Sequence, residues 1–455
     1  MSRSIDAFTR VAALAVALAT SVSAFAARPV ARWDVVPFQR VSGVFKAGVV
    51  AFHEKGVSVR FIVNGKTVHT ASKPELNDRT GVVEYVLPLA TAKFPDGPLT
   101  IGALAIVEGE QPYRLPYIQL YANNKRSQGS SKTIWVDCKN GNEFSEGTKE
   151  APVRSIKRGV ELVGDGGTVY LKPGDYSAKM IGGGLSRKYW TTIQPAPGFR
   201  RSEVKIRGGR TGTEKLRFRL VELYCDVSDG FGKIIMGEKG ETMAWFDGCR
   251  MYNRQGRWSG ETEPFGNGLR AFVTGGETSA MSNGPAAELV RGHTIKNIAF
   301  DAFSGSDRLV VNSRVMDIDP GDMDGDPDFY RGLEREPDWI HDVILYNVSA
   351  SDCKVRVMSG ARMRDSAFVD LNVATSAGDD VHSYFSDLLD NILFVNVKIS
   401  GQGLVWMQSK NGRTDVIPRD VRFFGCDIPA MSGFEPLDGS SGILVTGAVP
   451  APSAQ

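Results

Sequence analysis

The sequence predicts an all-β protein, a parallel β-helix preceded by a small antiparallel β-sandwich, on three observations. One short phrase returns between Trp339 and Asp427, as IHDVILYNVSASD, MRDSAFVDLNVAT, LDNILFVNVKISG and PRDVRFFGCDIPA. Aligning Val343, Ala367, Ile392 and Val421 gives steps of about 24, 25 and 29 residues, a period at which each repeat buries its apolar face only against its neighbours. The phrases are rich in β-branched and aromatic residues and alternate, so that Val343/Leu345/Asn347, Ala367/Val369/Leu371 and Ile392/Phe394/Asn396 share one face. Helical repeats of similar length need apolar residues at i, i+3 and i+4, and the phrases lack them.

With 50 Gly, 22 Pro and 23% charged residues, the 455-residue chain reads as a loop-rich β protein long enough for two domains. A formal charge of +2 supplies no strong field for nucleic acid. Residues 1–26 read as a secretory signal peptide: Arg3 and Arg10 precede the apolar run from Val11 to Ala19, and the small-residue patterns VSA and AFA follow. Cleavage is expected after Ala24 or Ala26, with export to the periplasm or the outside of a bacterial cell. The apolar run falls short of the ~20 residues that cross a bilayer, so no membrane span is expected. The five cysteines have no metal-type spacing. Cys225 and Cys249 lie about one rung apart and are placed inside the solenoid as small hydrophobes, free or bridged.

In chain order, residues 29–123 carry short alternating runs (VSVRFIVNG, GVVEYVLPLA, LTIGALAIVEG) separated by the turn signals NGK, PDG and EGEQ. This predicts a small antiparallel sandwich, immunoglobulin-like in outline. Residues 124–132 are polar and have a linker's composition. The solenoid is expected over 133–432. It opens on a strand from Ile134 to Asp137, followed by an amphipathic helix with Ile156, Val160 and Val163 on one face and then by GDGGTVYLKPGDY. Between Thr191 and Phe300 the rungs are irregular, with insertions expected from Arg254 to Asn267 and from Gly275 to Gly284. Residues 433–455 read as a flexible tail.

The segment from Ile134 to Ser177 resembles the N-terminal cap and first coil of the right-handed parallel β-helix, pectin-lyase-like superfamily. The resemblance implies a helix plugging the open end of the solenoid and a first rung at VYLKPGDY. A cap is physically required there, because an end rung exposes apolar side chains and an unpaired edge.

Candidate chemistry lies in shorter strands between the returning phrases: DFYRG, KVRVMSG, HSYFSD and LVWMQS. Stacked, they give two outward columns, one of Asp328, Lys354, His382 and Leu404, the other of Tyr330, Arg356, Tyr384 and Trp406, with Gln408 beyond. Cations there would neutralise carboxylates or sulfates and aromatics would stack on sugar rings, which points to an anionic polysaccharide as partner. Asp322, Asp324 and Asp326 alternate on a Gly-containing loop and are a candidate Ca²⁺ site. Asp379 and Asp380, two residues before His382, match the GDD motif of hydrolases in the superfamily named above.

Three functions follow as expectations. The first is a polysaccharide lyase acting by β-elimination on a uronate, with Lys354 as base, Arg356 neutralising the carboxylate and His382 or Tyr384 as acid. The second is a glycoside hydrolase using Asp379 and Asp380 with a partner such as Asp328. The third is a non-catalytic glycan-binding or cell-surface protein.

Overall fold

The computed structural model describes residues 28–129, 131–177, 180–227, 232–237, 242–256, 261–266, 268–304, 308–321, 327–331, 340–354, 356–359, 362–375, 382–385, 388–400, 404–407, 419–427 and 443–446. The strands at 356–359, 382–385, 404–407 and 443–446 enter through their backbone pairing. The expected signal peptide lies outside the described residues.

Two sheets build the N-terminal body, antiparallel throughout except that Arg40–Val41 pairs parallel with Ile118–Ala122. One orders Val30–Trp33, Val44–Phe52, Val82–Ala90 and Glu75–Asn77; the other orders Arg40–Val41, Ile118–Ala122, Gly97–Ile106, Ser58–Val63 and Lys66–Ala71. Alternation decides which side faces in: Val59, Phe61 and Val63 are buried while Arg60 is exposed. Between the sheets these residues meet Val49, Leu87, Ile101 and Leu120 in one core. Asn64 and Gly65, the NG turn signal, both have positive φ, as the tight hairpin between Ser58–Val63 and Lys66–Ala71 demands. Residues 124–129 do connect the two bodies and are tied to both. Gln128 N–H donates to Asn123 Oδ1, its carbonyl accepts from Arg40 (2.7 Å), and its side chain accepts from the Tyr189 hydroxyl (2.8 Å).

The rest is a parallel β-helix. A single sheet of 22 strands runs from Thr133–Val136 to Ile443–Thr446. It folds into two faces, because each coil contributes one strand to either side of a corner. Shorter strands make a third face: Met180–Gly182 through Glu263–Phe265, then Phe303–Ser304, Asp328–Arg331 and Arg356–Ser359, then His382–Phe385 with Leu404–Met407. The expected helix is there, Ile156–Val163, capped by the Ser155 hydroxyl, with Ile156, Val160 and Val163 buried against the first rungs. The last described strand, Ile443–Thr446, pairs with Val421–Phe424, so four residues of the segment expected as a flexible tail join the sheet.

One residue turns the corner between the first two faces. Leu220, Gly248, Gly275, Gly292, Asn312, Asn347, Asp370, Asn396 and Gly425 all have φ between 50° and 66°. Gly, Asn and Asp tolerate that left-handed region best, which explains why the returning phrases carry Asn, Asp or Gly at this point. Their side chains also stack: Asn347 donates to Asn312 (2.7 Å) and Asn396 to Asp370 (2.9 Å). Inside the solenoid aromatic rings stack from rung to rung, Phe368 on Phe394 at 5.1 Å and Phe394 on Phe423 at 4.6 Å. All five cysteines are free, and Cys225, Cys249 and Cys353 are buried. Burial pushes the Cys249 thiol up to about 12, which makes it an inert core residue.

The sandwich docks on the outer side of the first face. Val30, Val36, Val50 and Val82 of the sandwich share a core with Trp190, Trp245, Phe272, Leu309, Ile344, Ala367, Val369, Leu393 and Val395 of the solenoid. Trp190 stands edge-on to Trp245 and Phe272 and donates its indole N–H to the Pro37 carbonyl (2.7 Å). Polar pins surround this seam: Arg28 to Asp342 and Asp365, Arg422 to Glu54, and Arg291 to the buried Asp34.

This docking corrects the expected register. The rungs stack Val343 opposite Ser366, Ile392 and Val421, and Ile344 opposite Ala367 and Leu393. Leu345, Phe368 and Phe394 therefore share the interior, whereas Ala367 and Val369 face the sandwich. Aligning Ala367 with Val343 was one residue out. Both sides of the sheet are apolar here, so alternation carries no marker of inside and outside.

Candidate functional site

At the N-terminal edge of the third face, successive rungs bring Lys233, Glu263, Asn283, Asp301, Asp328 and Arg356 into one ladder. Lys233 pairs with Glu263 in the sheet, and Asp328 with Arg356. Between them, Asn283 N–H donates to the Thr262 carbonyl, Gly284 N–H to the Asp301 carbonyl and Ala302 N–H to the Asp328 carbonyl, which sets Asn283 beside Glu263 and Asp301 beside Asp328. Five rung spacings of ~4.8 Å make the ladder about 24 Å long, enough for several sugar units. The residues that follow it in chain order, Ile235, Phe265, Phe303 and Tyr330, are packed in the solenoid core and hold each rung in place.

The ladder is a connected polar system. Lys233 Nζ lies 2.5 Å from Glu263 Oε2, and Asn283 donates its amide to Glu263 Oε1 (3.4 Å). Asn283 Oδ1 accepts from Asp301 N–H (3.2 Å), Asp301 Oδ1 accepts from Asp328 N–H (3.2 Å), and Arg331 donates to Asp301 Oδ2 (3.4 Å). Exposure falls along it: the Glu263 side chain is 41% exposed, that of Asp301 11%, and Asp328 is fully buried. Burial, with the negative charge of Asp328 on the next rung, pushes the Asp301 carboxyl up to about 7; Arg331 opposes the shift. Asp301 thus titrates near neutral pH, with a small part of its side chain reaching solvent.

The sequence-derived columns are corrected at this point. Asp328 pairs with Arg356 and Tyr330 with Met358, so Lys354 is not in the Asp328 column and Arg356 is not in the Tyr330 column. Asp328 and Tyr330 are buried, and the Tyr330 ring packs edge-on against Phe368 at 6.0 Å. They cannot bind substrate on an outer face. Lys354 stands at the preceding corner with its ammonium 3.0 Å from the Asp319 carboxylate, an ion pair that a base would have to break. Further along, His382 pairs with Leu404 and Tyr384 with Trp406, so those four residues do share rungs as expected. The expected Asp379 and Asp380 pair, Gln408, and Asp322, Asp324 and Asp326 lie outside the described residues. Among the described residues no group of three or more His, Cys, Asp or Glu side chains is arranged to hold a metal ion.

Sequence reasoning missed Glu263 and Asp301. It assigned Arg254 to Asn267 and Gly275 to Gly284 to insertions, but Glu263–Phe265 is a third-face strand and Glu277–Ser279 a second-face strand. A usable signal was present: Glu263-Pro-Phe265, Asp301-Ala-Phe303 and Asp328-Phe-Tyr330 each set an acid two residues before an aromatic ring.

No protein-family model matches the chain, and no curated protein matches it. Among solved structures, the chain is similar to the GH136 lacto-N-biosidase from Eubacterium ramulus, with 9% identity over 70% of this chain and 67% of that one and a TM-score of 0.37. Likeness at that level carries no residue correspondence.

Proposed function

We propose that this chain is a carbohydrate-active β-helix that hydrolyses a glycosidic bond along its third face, with Asp301 as the acid and Glu263 as the base. One observation carries the reading. Asp301 is a buried carboxyl raised to about 7, and it stands two rungs from a solvent-facing carboxylate, Glu263, paired with Lys233. Two carboxyls in contrasting environments are the requirement for acid–base cleavage of an acetal. Asp301 would protonate the leaving oxygen and Glu263 would take a proton from the attacking water. Two rungs separate their backbones by about 9–10 Å, a spacing close to the roughly 6.5–9.5 Å between carboxyls that leaves room for that water. The expected product has inverted anomeric configuration. Asp328, fully buried, acts through Asp301 as a positioning residue.

Hydrolysis is favoured over the lyase reading because Lys354 is ion-paired with Asp319 and stands out of the Asp328 column. The signal-like N-terminus makes the partner an extracellular or periplasmic glycan. The test is a panel of neutral and acidic oligosaccharides, followed for new reducing ends and for absorbance near 235 nm. Reducing ends without ultraviolet product are expected, falling at least ~100-fold in Asp301→Asn and Glu263→Gln. An unsaturated product, or full activity in Asp301→Asn, refutes the proposal.

A further inference from the structure

A second place on the molecule has a composition the third face does not use. Where the sandwich meets the first coil, an open pocket of about 410 Å³ is lined by Arg40, Ser42, Asn123, Arg126, Ser131 and Lys132, together with Gly166, Gly167 and Thr168. We infer that this pocket binds the carboxylate or sulfate of an acidic sugar. The argument rests on charge, geometry and size.

Three cationic residues line it from separate segments: Arg40 from a sandwich strand, Arg126 from the connecting turn and Lys132 from the entry to the first rung. No carboxylate is among the lining residues, and among the described residues neither Arg40 nor Arg126 forms an ion pair. Arg40 is nevertheless held in place. Its guanidinium donates to the carbonyls of Gln128 (2.7 Å) and Gly166 (2.5 Å) and lies 5.5 Å from the centre of the Tyr189 ring. Loss of solvent lowers the Arg40 pKa, with Tyr189 and Asp165 only partly opposing it. The Asp165 carboxylate itself is engaged by the backbone N–H groups of Lys188 and Tyr189. A fixed cation with little local compensation attracts an oxyanion, and a planar guanidinium suits carboxylate and sulfate oxygens. Ser42, Asn123 and Ser131 add the neutral polar groups that sugar hydroxyls require, and the volume lies at the lower end of small-molecule sites.

The site shares no residue with the Asp301 ladder and stands whether or not the chain hydrolyses anything. Arg126 and Lys132 are both exposed, so they can be altered without opening a core. Isothermal titration of the full chain with sodium glucuronate is expected to give saturable millimolar binding, weakened at least ~10-fold in Arg126→Gln/Lys132→Gln and by raised salt. Glucose at the same concentrations is expected to give none. Asp301→Asn should bind glucuronate like the wild type while losing hydrolysis, so failure of the two readings is told apart. Circular dichroism of the double variant checks its fold, and Arg126→Lys, which keeps the charge, should bind within a few-fold of wild type. Glucuronate binding no tighter than glucose, equal binding by the double variant, or binding of inorganic sulfate alone overturns the inference.

Discussion

Replacing Asp301 by Asn separates stability from activity and tests the reading of the third face most directly. The Asp301 carboxyl rises from an ordinary value of 3.8 to about 7 in the folded chain, because burial and Asp328 disfavour its charged form. A raised carboxylate binds more protons folded than unfolded between those two values, so its contribution to stability falls as pH rises through that window and is level above it. The difference is about three pH units, and at 1.36 kcal/mol each the ionised carboxylate costs the fold about 4 kcal/mol at pH 8. Asn keeps the acceptor for Asp328 N–H, and the opposing pull of Arg331 is already contained in the net shift. Asp301→Asn is therefore expected to be more stable than wild type by about 4 kcal/mol at pH 8, with the gap closing toward pH 4. Urea denaturation at the two pH values measures it, beside the assay for reducing ends. A variant that is no more stable at pH 8 than at pH 4 relative to wild type refutes the electrostatic argument.

Substitutions at three other positions probe the fold. Phe394 stacks on Phe368 and Phe423, so Phe394→Ala opens a cavity between rungs and should cost about 3–5 kcal/mol, read as a lowered denaturation midpoint. Trp190→Ala removes the hydrogen bond to Pro37 and two aromatic contacts across the domain seam; the sandwich should then melt in a separate, earlier transition, visible as two steps by calorimetry. At the corner, Asn347→Val puts a β-branched residue at φ 52° and breaks the bond to Asn312, and should lower stability by about 2 kcal/mol, while Asn347→Gly should lose about half as much.

Much of the architecture was legible in the chain because its signals are local. The returning phrases, the capping helix with Ile156, Val160 and Val163 inward, and the NG hairpin are all set by periodicity or turn chemistry. The corner residues are equally local, since Asn347 and Asn396 sit where only a left-handed backbone closes the coil. The proposed working face was less legible. Its strands are short, such as Glu263–Phe265 and Phe303–Ser304, too brief for alternation to declare a side, and Glu263 was hidden in what looked like an insertion.

What the sequence determined by itself is the solenoid, its cap and the sandwich ahead of it, each announced by local periodicity or turn chemistry. Only the tertiary structure decided the register of the returning phrases and the polar ladder that joins Lys233, Glu263, Asn283, Asp301 and Asp328. The sandwich covers the outer side of the first face with Val30, Val36, Val50 and Val82, so Ala367, Val369 and Leu393 had to be as apolar as the interior residues Leu345, Phe368 and Phe394. A sheet buried on both sides erases the polar alternation from which register is read. The same holds for Asp301, whose raised pKa comes from burial and from Asp328, 27 residues away in the chain and one rung away in space.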